Sequence, residues 1–431
     1  MRKRMLMLIL LLLAIAGFAQ EKMEIVLLGP DINRFANAKG YTGQVIGETQ
    51  SEKIRVLFER AHPNVKLKYL LIDFSTGATL SMDALIAAGT PPDVYDDYLG
   101  KSSKYMVPEY ALDLKKYLPD LDDYRPGALD PLTRNGKLLG LPKPGNYQAM
   151  CLNLTLLKKA GYVVPNNWTT DDFLVMAEKV KALNSKAWAT GMFAENQSGD
   201  YLSMNWMSSF GGRLYKSGDY SKTTLDTPAG LETFRWWKML LDKGYIQKES
   251  AVLDDDDYAA MWSQGQYAAT AFFPGWISIY FKNAKGQGLI KEAHEVGWAP
   301  FPRAKGITQV PVAGSMPGIV VHASKDEARN KLVADLVLLM NGPDAQDLII
   351  RTTSVYSNRK SVKTAPDDPD WRAIDKIVND NGILDLGLAS PKFSPVRALG
   401  FPILQGLFTG KLTPEKALAQ YVADVNRTLA E

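Results

Sequence analysis

Reactive and metal-binding side chains are scarce in this sequence. Its 431 residues include one cysteine, Cys151, which excludes an intramolecular disulfide and any CxxC zinc or redox motif. The three histidines, His62, His294 and His322, are far apart, so no histidine-cluster metal site is expected and only a mixed-ligand site stays open. Beyond the N-terminus, no apolar run reaches the roughly 20 residues that a membrane-spanning helix needs.

Catalytic motifs are absent as well. The sequence has no GxxxxGK[ST] loop, no GxGxxG after a strand and no HExxH pair. Residues 314–318 do not form a GxSxG nucleophile elbow, because the serine stands one position early. We interpret the acidic run 254–257 as helix capping, since Ala259 stands where a calcium loop needs glycine. The sequence therefore predicts a protein with no enzymatic activity, no cofactor and no metal.

The N-terminus has the pattern of a secretory signal peptide. Basic residues at 2–4 precede an apolar run at 5–15, and Gly17 and Ala19 suit a cleavage site. A membrane anchor is the alternative. Cleavage after Ala19 removes three of 50 basic residues and leaves 47 against 47 acidic ones, so neither nucleic acid nor an anionic membrane is an expected partner. With no cysteine at the cleavage site, we expect a periplasmic or extracellular protein whose signal peptide is 1–19.

Strands and helices alternate along the first part of the mature chain. The apolar patterns predict, in order, a strand at 23–29, a helix at 51–61, a strand at 65–71, a helix at 81–88 and a strand beginning at Asp93. This βαβαβ order is typical of a parallel sheet with helices on its faces, so we predict an α/β fold.

Capping residues predict four further helices in the later chain. They begin at Thr169, Thr227, Ser324 and Thr413, and an acidic residue three positions after Thr169 and Ser324 completes a capping box there. A chain of this length is expected to form two domains. Because no long linker separates them, we predict several chain crossings and a hinge.

Aromatic side chains are frequent, with 9 Trp, 19 Tyr and 15 Phe. Trp276 follows a strand and a Pro-Gly pair, and we interpret it as a ligand-stacking residue in a loop. Tyr201 and Trp206 lie in a segment rich in Gly, Asn and Ser, where a core role for Trp206 is equally supported. Asp96 and Asp97 stand in a predicted strand and its end, where α/β sheets bind ligands. Flat rings beside carboxylates and amides suit a sugar.

Three other tryptophans are assigned to packing. Trp236 and Trp237 lie in the middle of a predicted helix, where core packing is favoured over a binding role. Trp298 lies in an alternating strand, and we predict that it packs between the two domains.

Six short motifs follow one another through nearly the whole mature chain. They are AAGTPPDV at 87–94, GKLLGLP at 136–142, LNLTLLKKAG at 152–161, NWTTDDF at 167–173, SFGG at 209–212 and GQYAA at 265–269. Their order and spacing resemble the extracellular solute-binding proteins of ABC importers, in the carbohydrate-type, maltose-binding-protein-like group. The resemblance covers both predicted domains.

The resemblance implies a two-lobed Venus-flytrap fold, with the ligand bound between the lobes. The implied lobes are 20–145 plus 303–352 (N-terminal) and 146–302 plus 353–431 (C-terminal), with hinge segments near 142–150, 302–317 and 352–358. The implied ligand site draws on both lobes, through Asp31, Asn33, Phe74, Ser75, Asp96, Asp97, Asn146, Tyr147, Tyr201, Trp206, Trp276, Ser315, Met316 and Arg397.

The predicted function is the capture of a mono- or oligosaccharide by a monomer that delivers it to ABC permease subunits. Ligand that touches both lobes would shift the protein towards its closed form. A binding protein for another polar solute, such as glycerol phosphate or a peptide, is an alternative, and a sensor fits the same sequence. A secreted carbohydrate-active enzyme also stays open, because the spacing of its two carboxylates is spatial.

Overall fold

The computed structural model describes residues 22–30, 50–72, 82–98, 102–107, 109–124, 128–183, 186–216, 219–315, 317–353, 355–362, 369–388 and 390–431. The predicted signal peptide lies outside these residues. So do five predicted site residues, namely Asp31, Asn33, Phe74, Ser75 and Met316.

The strands of the described chain are β1 Met23–Pro30, β2 Val65–Ile72, β3 Val94–Tyr98, β4 Thr133–Arg134, β5 Lys137–Leu138, β6 Leu141–Pro142, β7 Asn146–Tyr147, β8 Ala149–Asn153, β9 Ala269–Phe272, β10 Val296–Ala299, β11 Val312–Ser315, β12 Pro317–Val321 and β13 Ile383–Leu384. The α-helices are α1 Gln50–Ala61, α2 Met82–Ala87, α3 Leu154–Lys159, α4 Thr170–Lys181, α5 Gln197–Met204, α6 Pro228–Asp242, α7 Asp255–Ser263, α8 Pro274–Gly286, α9 Glu327–Asn341, α10 Pro343–Thr353, α11 Pro369–Asn381, α12 Phe393–Arg397, α13 Gly400–Phe408 and α14 Pro414–Ala430. Short 3₁₀ turns lie at Ser103–Tyr105, Leu114–Lys116, Leu121–Asp123, Asp130–Leu132, Asn205–Phe210 and Lys248–Ala251.

The first sheet has the strand order β2-β1-β3-β12-β6. β1 runs parallel to β2 from Met23 opposite Val65 to Pro30 opposite Ile72, and parallel to β3 as well. The predicted βαβαβ order is therefore confirmed. β12 pairs antiparallel with β3 and β6, so the chain returns to the first sheet after building most of the second half of the molecule.

Two large apolar cores divide the molecule. One draws its buried residues from 25–141 and 319–340, and the other from 147–313 and 350–425. The chain thus passes between the cores three times, at 141–147, 313–319 and 340–350. The lobe boundaries given above stay predictions, and so do the hinge segments.

Two of the predicted helix starts have different outcomes. The Thr169 hydroxyl accepts a hydrogen bond from Asp172 N at 3.2 Å, and Asp172 Oδ2 accepts one from Thr169 N at 2.8 Å, which confirms the capping box. The start predicted at Ser324 is wrong, because Asp326 caps α9 instead. Asn330 bonds both the N–H and the carbonyl of Ser324, which holds that residue outside the helix.

Candidate ligand-binding site

The first two chain crossings lie side by side. Residues 138–153 are buried throughout, although several of them are polar. Asn146 in β7 pairs with Ser315 in β11, and Tyr147 pairs with Gly314. A Cβ at Gly314 would lie 2.8 Å from two carbons of the Tyr147 ring, so this close approach requires glycine. The pairing therefore joins three predicted site residues, Asn146, Tyr147 and Ser315.

The segment after α10 lies against the first crossing. Gly145 N donates to the Tyr356 carbonyl at 2.9 Å, and Tyr356 N donates to the Gly145 carbonyl at 2.6 Å. Asn358 Nδ2 donates to the Lys143 carbonyl at 2.5 Å. The Tyr356 ring also contacts the Tyr147 ring edge to face, with centroids 5.6 Å apart. Chain segments from three distant parts of the sequence thus meet at one place.

Buried acceptor oxygens without donors lie along these segments. Among the described residues, Asp96 Oδ1, Asn146 Oδ1 and Gln148 Oε1 are buried and have no hydrogen-bond partner. The other Asp96 oxygen accepts from Lys143 Nζ at 2.7 Å, and Gln148 Nε2 donates to the Tyr201 carbonyl at 3.2 Å. An unmet buried acceptor costs free energy unless a donor from water or a ligand reaches it. The arrangement therefore suits a guest rich in O–H or N–H groups.

Arg397 and Tyr201, two predicted site residues, are in contact. The Arg397 guanidinium lies 5.2 Å from the Tyr201 ring centroid, and its Nε donates to Asp200 Oδ1 at 3.2 Å. The Tyr201 hydroxyl donates to the Gly314 carbonyl on β11. This cluster and Tyr421 together line a cavity of about 20 Å³, which has room for about one water molecule.

Asp200 predicts a pH dependence of stability. Burial raises the pKa of Asp200 to about 7, although the nearby Arg397 acts to lower it. An unfolded aspartate titrates near pH ~4, so between about pH 4 and 7 the folded protein binds more protons at this site. The free energy of unfolding that Asp200 contributes should therefore fall as pH rises through this window.

Urea unfolding at pH 5, 6 and 7 tests this prediction in Asp200→Asn. Relative to the wild type, the variant should gain stability as pH rises, because the amide cannot ionise. Asp226→Asn, at an exposed position, is the control and should track the wild type. Parallel pH curves for Asp200→Asn and the wild type would contradict the prediction.

Of the two roles that the sequence left open for Trp206, ligand stacking and core packing, the structure supports core packing. Its side chain is 1% exposed and packs against Phe173, Trp236 and Phe301, with ring centroids 5.3, 5.8 and 5.4 Å away. The Gly-, Asn- and Ser-rich segment folds into α5 and the following 3₁₀ turn, and these helical turns direct the indole into the core. Trp206 is therefore a core residue.

Two further tryptophans differ from the sequence predictions. Trp298 pairs with Cys151 in the sheet β10-β8-β9 and packs against the second core, so the predicted packing between domains is wrong. Trp276 lies in the first turn of α8, because Pro274 begins a helix directly after β9. The predicted loop is thus a helix N-terminus, and ligand stacking on Trp276 stays a prediction.

Sequence reasoning missed Lys143, Gln148 and Asp200. Lys143 and Gln148 are buried polar residues within a mostly apolar stretch of sequence, which is a signal that the sequence does carry. Asp200 sits in a helix, and its pairing with Arg397 spans 197 positions, so no local pattern indicates it. The Asp96 side chain contacts the first crossing through Lys143, and Asp96 and Asp97 pair in the sheet with Ile319 and Gly318.

The described part of the chain offers neither a reactive thiol nor a metal-binding cluster. Cys151 is buried, and burial raises the pKa of its thiol, so it is not a reactive thiolate. Within the described ranges, no group of three His, Cys, Asp or Glu residues is placed to hold a metal ion. None of the described helices has both the length and the hydropathy of a membrane span.

The sequence matches the family described as bacterial extracellular solute-binding protein over residues 53–375. The chain belongs to this family. The solute-binding protein is 27% identical over 300 residues to the arabinooligosaccharide-binding protein of Bacillus subtilis (strain 168), which covers 67% of this chain and 66% of the relative. It is 26% identical over 218 residues to a putative binding protein of Brucella abortus (strain 2308), which covers 50% of this chain and 52% of the relative. The solute-binding protein thus spans about two thirds of the first relative's length and about half of the second's.

Solved structures of low sequence identity share the fold. A chitin oligosaccharide binding protein has a TM-score of 0.74 at 21% identity, covering 95% of this chain and 100% of that one. The cyclic alpha-maltosyl-1,6-maltose binding protein from Arthrobacter globiformis has a TM-score of 0.75 at 16% identity, covering 95% and 99%. The predicted two-lobed α/β fold with several crossings is therefore confirmed.

Proposed function

We propose that this solute-binding protein binds a mono- or oligosaccharide between its two lobes and delivers it to the permease of an ABC importer. The observation that carries the proposal is the set of buried acceptor oxygens without donors, on Asp96, Asn146 and Gln148. Sugar hydroxyls can donate to each of them without bringing a charge into the site. The named relatives, which bind arabino-, chitin and cyclic malto-oligosaccharides, support the same class of ligand.

Transport requires binding and release, with no reaction on the sugar. A ligand that contacts both lobes only when they close shifts the open–closed equilibrium by its difference in affinity for the two forms. The closed form then presents its surface to the permease. In this proposal the protein acts as an exported monomer, from which residues 1–19 have been removed, and the crossings at 141–147, 313–319 and 340–350 bend.

Thermal unfolding with a ligand panel tests the proposal. The panel contains arabinotriose, maltotriose and chitotriose, with trialanine and glycerol 3-phosphate as representatives of other solutes. A ligand at 100 times its Kd should add about 2.7 kcal/mol to the free energy of unfolding. A shift with trialanine or glycerol 3-phosphate alone would overturn the carbohydrate assignment. Chromatography of the recovered sugar must find it intact, since cleavage would identify an enzyme instead.

Trp276→Ala should weaken sugar binding by about tenfold or more, because a ring stacked on a sugar contributes on that scale. Calorimetric titration measures the Kd, and the melting temperature without ligand should change little for a residue in the first turn of α8. Trp276→Phe is the matched control, and it should keep most of the affinity. Unchanged affinity in Trp276→Ala would remove Trp276 from the site.

A further inference from the structure

A buried ion pair joins the first crossing to the first sheet. Lys143 stands between Pro142 and Pro144, and its Nζ lies 2.7 Å from Asp96 Oδ2. The two side chains are 10% and 3% exposed. Taking both charges out of water is costly, and their attraction only offsets this when the remaining hydrogen-bonding groups are satisfied. The pair is therefore costly to bury unless both side chains gain further hydrogen bonds.

Main-chain contacts hold the first crossing on both sides of Lys143. Pro142 pairs with Gly318 in the first sheet, so the segment is fixed before Lys143. Two main-chain hydrogen bonds between Gly145 and Tyr356 fix it afterwards. The Lys143 carbonyl itself accepts from Asn358. Since the main chain is secured on both sides, the side-chain charges are available for another role.

Both partners have unused hydrogen-bonding capacity. An ammonium group can donate three hydrogen bonds, and among the described residues Lys143 Nζ donates one, to Asp96. Asp96 Oδ1 is buried with no partner. The Asp93–Arg329 pair of the same lobe differs, because Arg329 bonds both Asp93 oxygens and Val26 N bonds Oδ2 as well. Both carboxylate oxygens of Asp93 thus have hydrogen-bond donors, whereas one oxygen of Asp96 has none.

The unused groups define what would fit beside them. A carboxylate or phosphate would accept from Lys143 but repel Asp96 Oδ1, and an ammonium would donate to Asp96 but repel Lys143. A hydroxyl can do both, because it donates one hydrogen bond and accepts others. We propose that Lys143 and Asp96 together bind one hydroxyl group of the saccharide, which donates to Asp96 Oδ1 and accepts from Lys143 Nζ. This inference rests on the proposed function.

Variants that remove the charges of Lys143 and Asp96 distinguish a role in ligand binding from a purely structural role. Lys143→Met and Asp96→Leu each strand one buried charge and should lower the melting temperature, whereas the double variant strands none and should recover much of it. Each variant, including the double, should bind at least about tenfold more weakly, because hydrogen bonds to charged groups are lost. Arg329→Met is the matched control, with a lower melting temperature and unchanged Kd. Wild-type affinity in the double variant would overturn the inference.

The affinity for deoxygenated ligand analogues gives a further test, because a purely structural role of the pair would leave the preference for the parent sugar unchanged. The probe is whichever of arabinotriose, maltotriose and chitotriose binds the wild type, with its monodeoxy analogues. One deoxy analogue should bind the wild type at least about tenfold more weakly than the parent sugar, yet bind the double variant as well as the parent does. If the wild type and the double variant discriminate equally between the parent sugar and its analogue, this inference is wrong and the proposed function still holds. If the wild type binds none of the three sugars, the proposed function fails and this inference fails with it.

Discussion

Replacing Trp206 by alanine should lower the free energy of unfolding by about 3–5 kcal/mol, as expected for a large buried aromatic side chain. The indole is enclosed by Phe173, Trp236 and Phe301, and two of these contacts are edge to face. Truncation removes this apolar contact and leaves a cavity that the surrounding rings fill only in part. Few single substitutions in the second core should cost more.

Urea unfolding measures this loss, and Trp206→Phe is the matched control. Phenylalanine keeps a ring at the centre of the cluster, so its loss of stability should be clearly smaller. At a temperature where each variant is folded, the Kd for the sugar should match that of the wild type, because Trp206 is enclosed by core residues. A variant of normal stability and weakened affinity would instead return Trp206 to the ligand site.

Arg359→Met should be the second large loss, about 3 kcal/mol. The Arg359 side chain is 1% exposed and lies 4.5 Å from the Tyr124 ring centroid. It donates to Asp120 and Asp123 at 2.8 and 3.0 Å, to the Asn341 carbonyl at 2.7 Å and to the Tyr124 hydroxyl at 3.1 Å. Methionine fills much of the volume but removes all four of these hydrogen bonds and the buried positive charge that faces the two aspartates.

Chemical denaturation of Arg359→Met and Arg359→Lys tests this expectation. Lysine keeps the charge but cannot reproduce the planar fork of donors, so it should recover only part of the loss. Asp120 is 45% exposed, and water can solvate it in the variant, which keeps the loss below that of a fully buried pair. A loss under about 1 kcal/mol, typical of a surface pair, would show that the network adds little.

Local patterns sufficed for much of the fold. The βαβαβ start and the capping box at Thr169 depend on neighbouring residues, so the sequence indicates them directly. The start of α9 at Asp326 could not be predicted in this way, because Asn330 reaches back to hold Ser324. Trp206 shows a related limit, since residue types common in loops fold into helical turns when an apolar cluster encloses them.

The site was harder to predict than the fold. Asn146, Tyr147 and Ser315 entered through the resemblance, and β-pairing brings them together. Lys143 and Asp96 are 47 positions apart, and nothing in their spacing indicates contact. Their pairing follows from the return of the chain to the first sheet through β12 and β6, which is a tertiary feature.

The cross-linking of the lobe connections has a mechanical consequence. β7 is bonded to β11, and Gly145 is bonded to Tyr356, so the connecting segments form one hydrogen-bonded ribbon. Independent connecting segments would let one lobe rotate in several directions relative to the other. Hydrogen-bonded segments bend readily about one axis and resist torsion. Opening and shutting should then follow a single angular coordinate, so that every approach of the lobes brings the same faces into register.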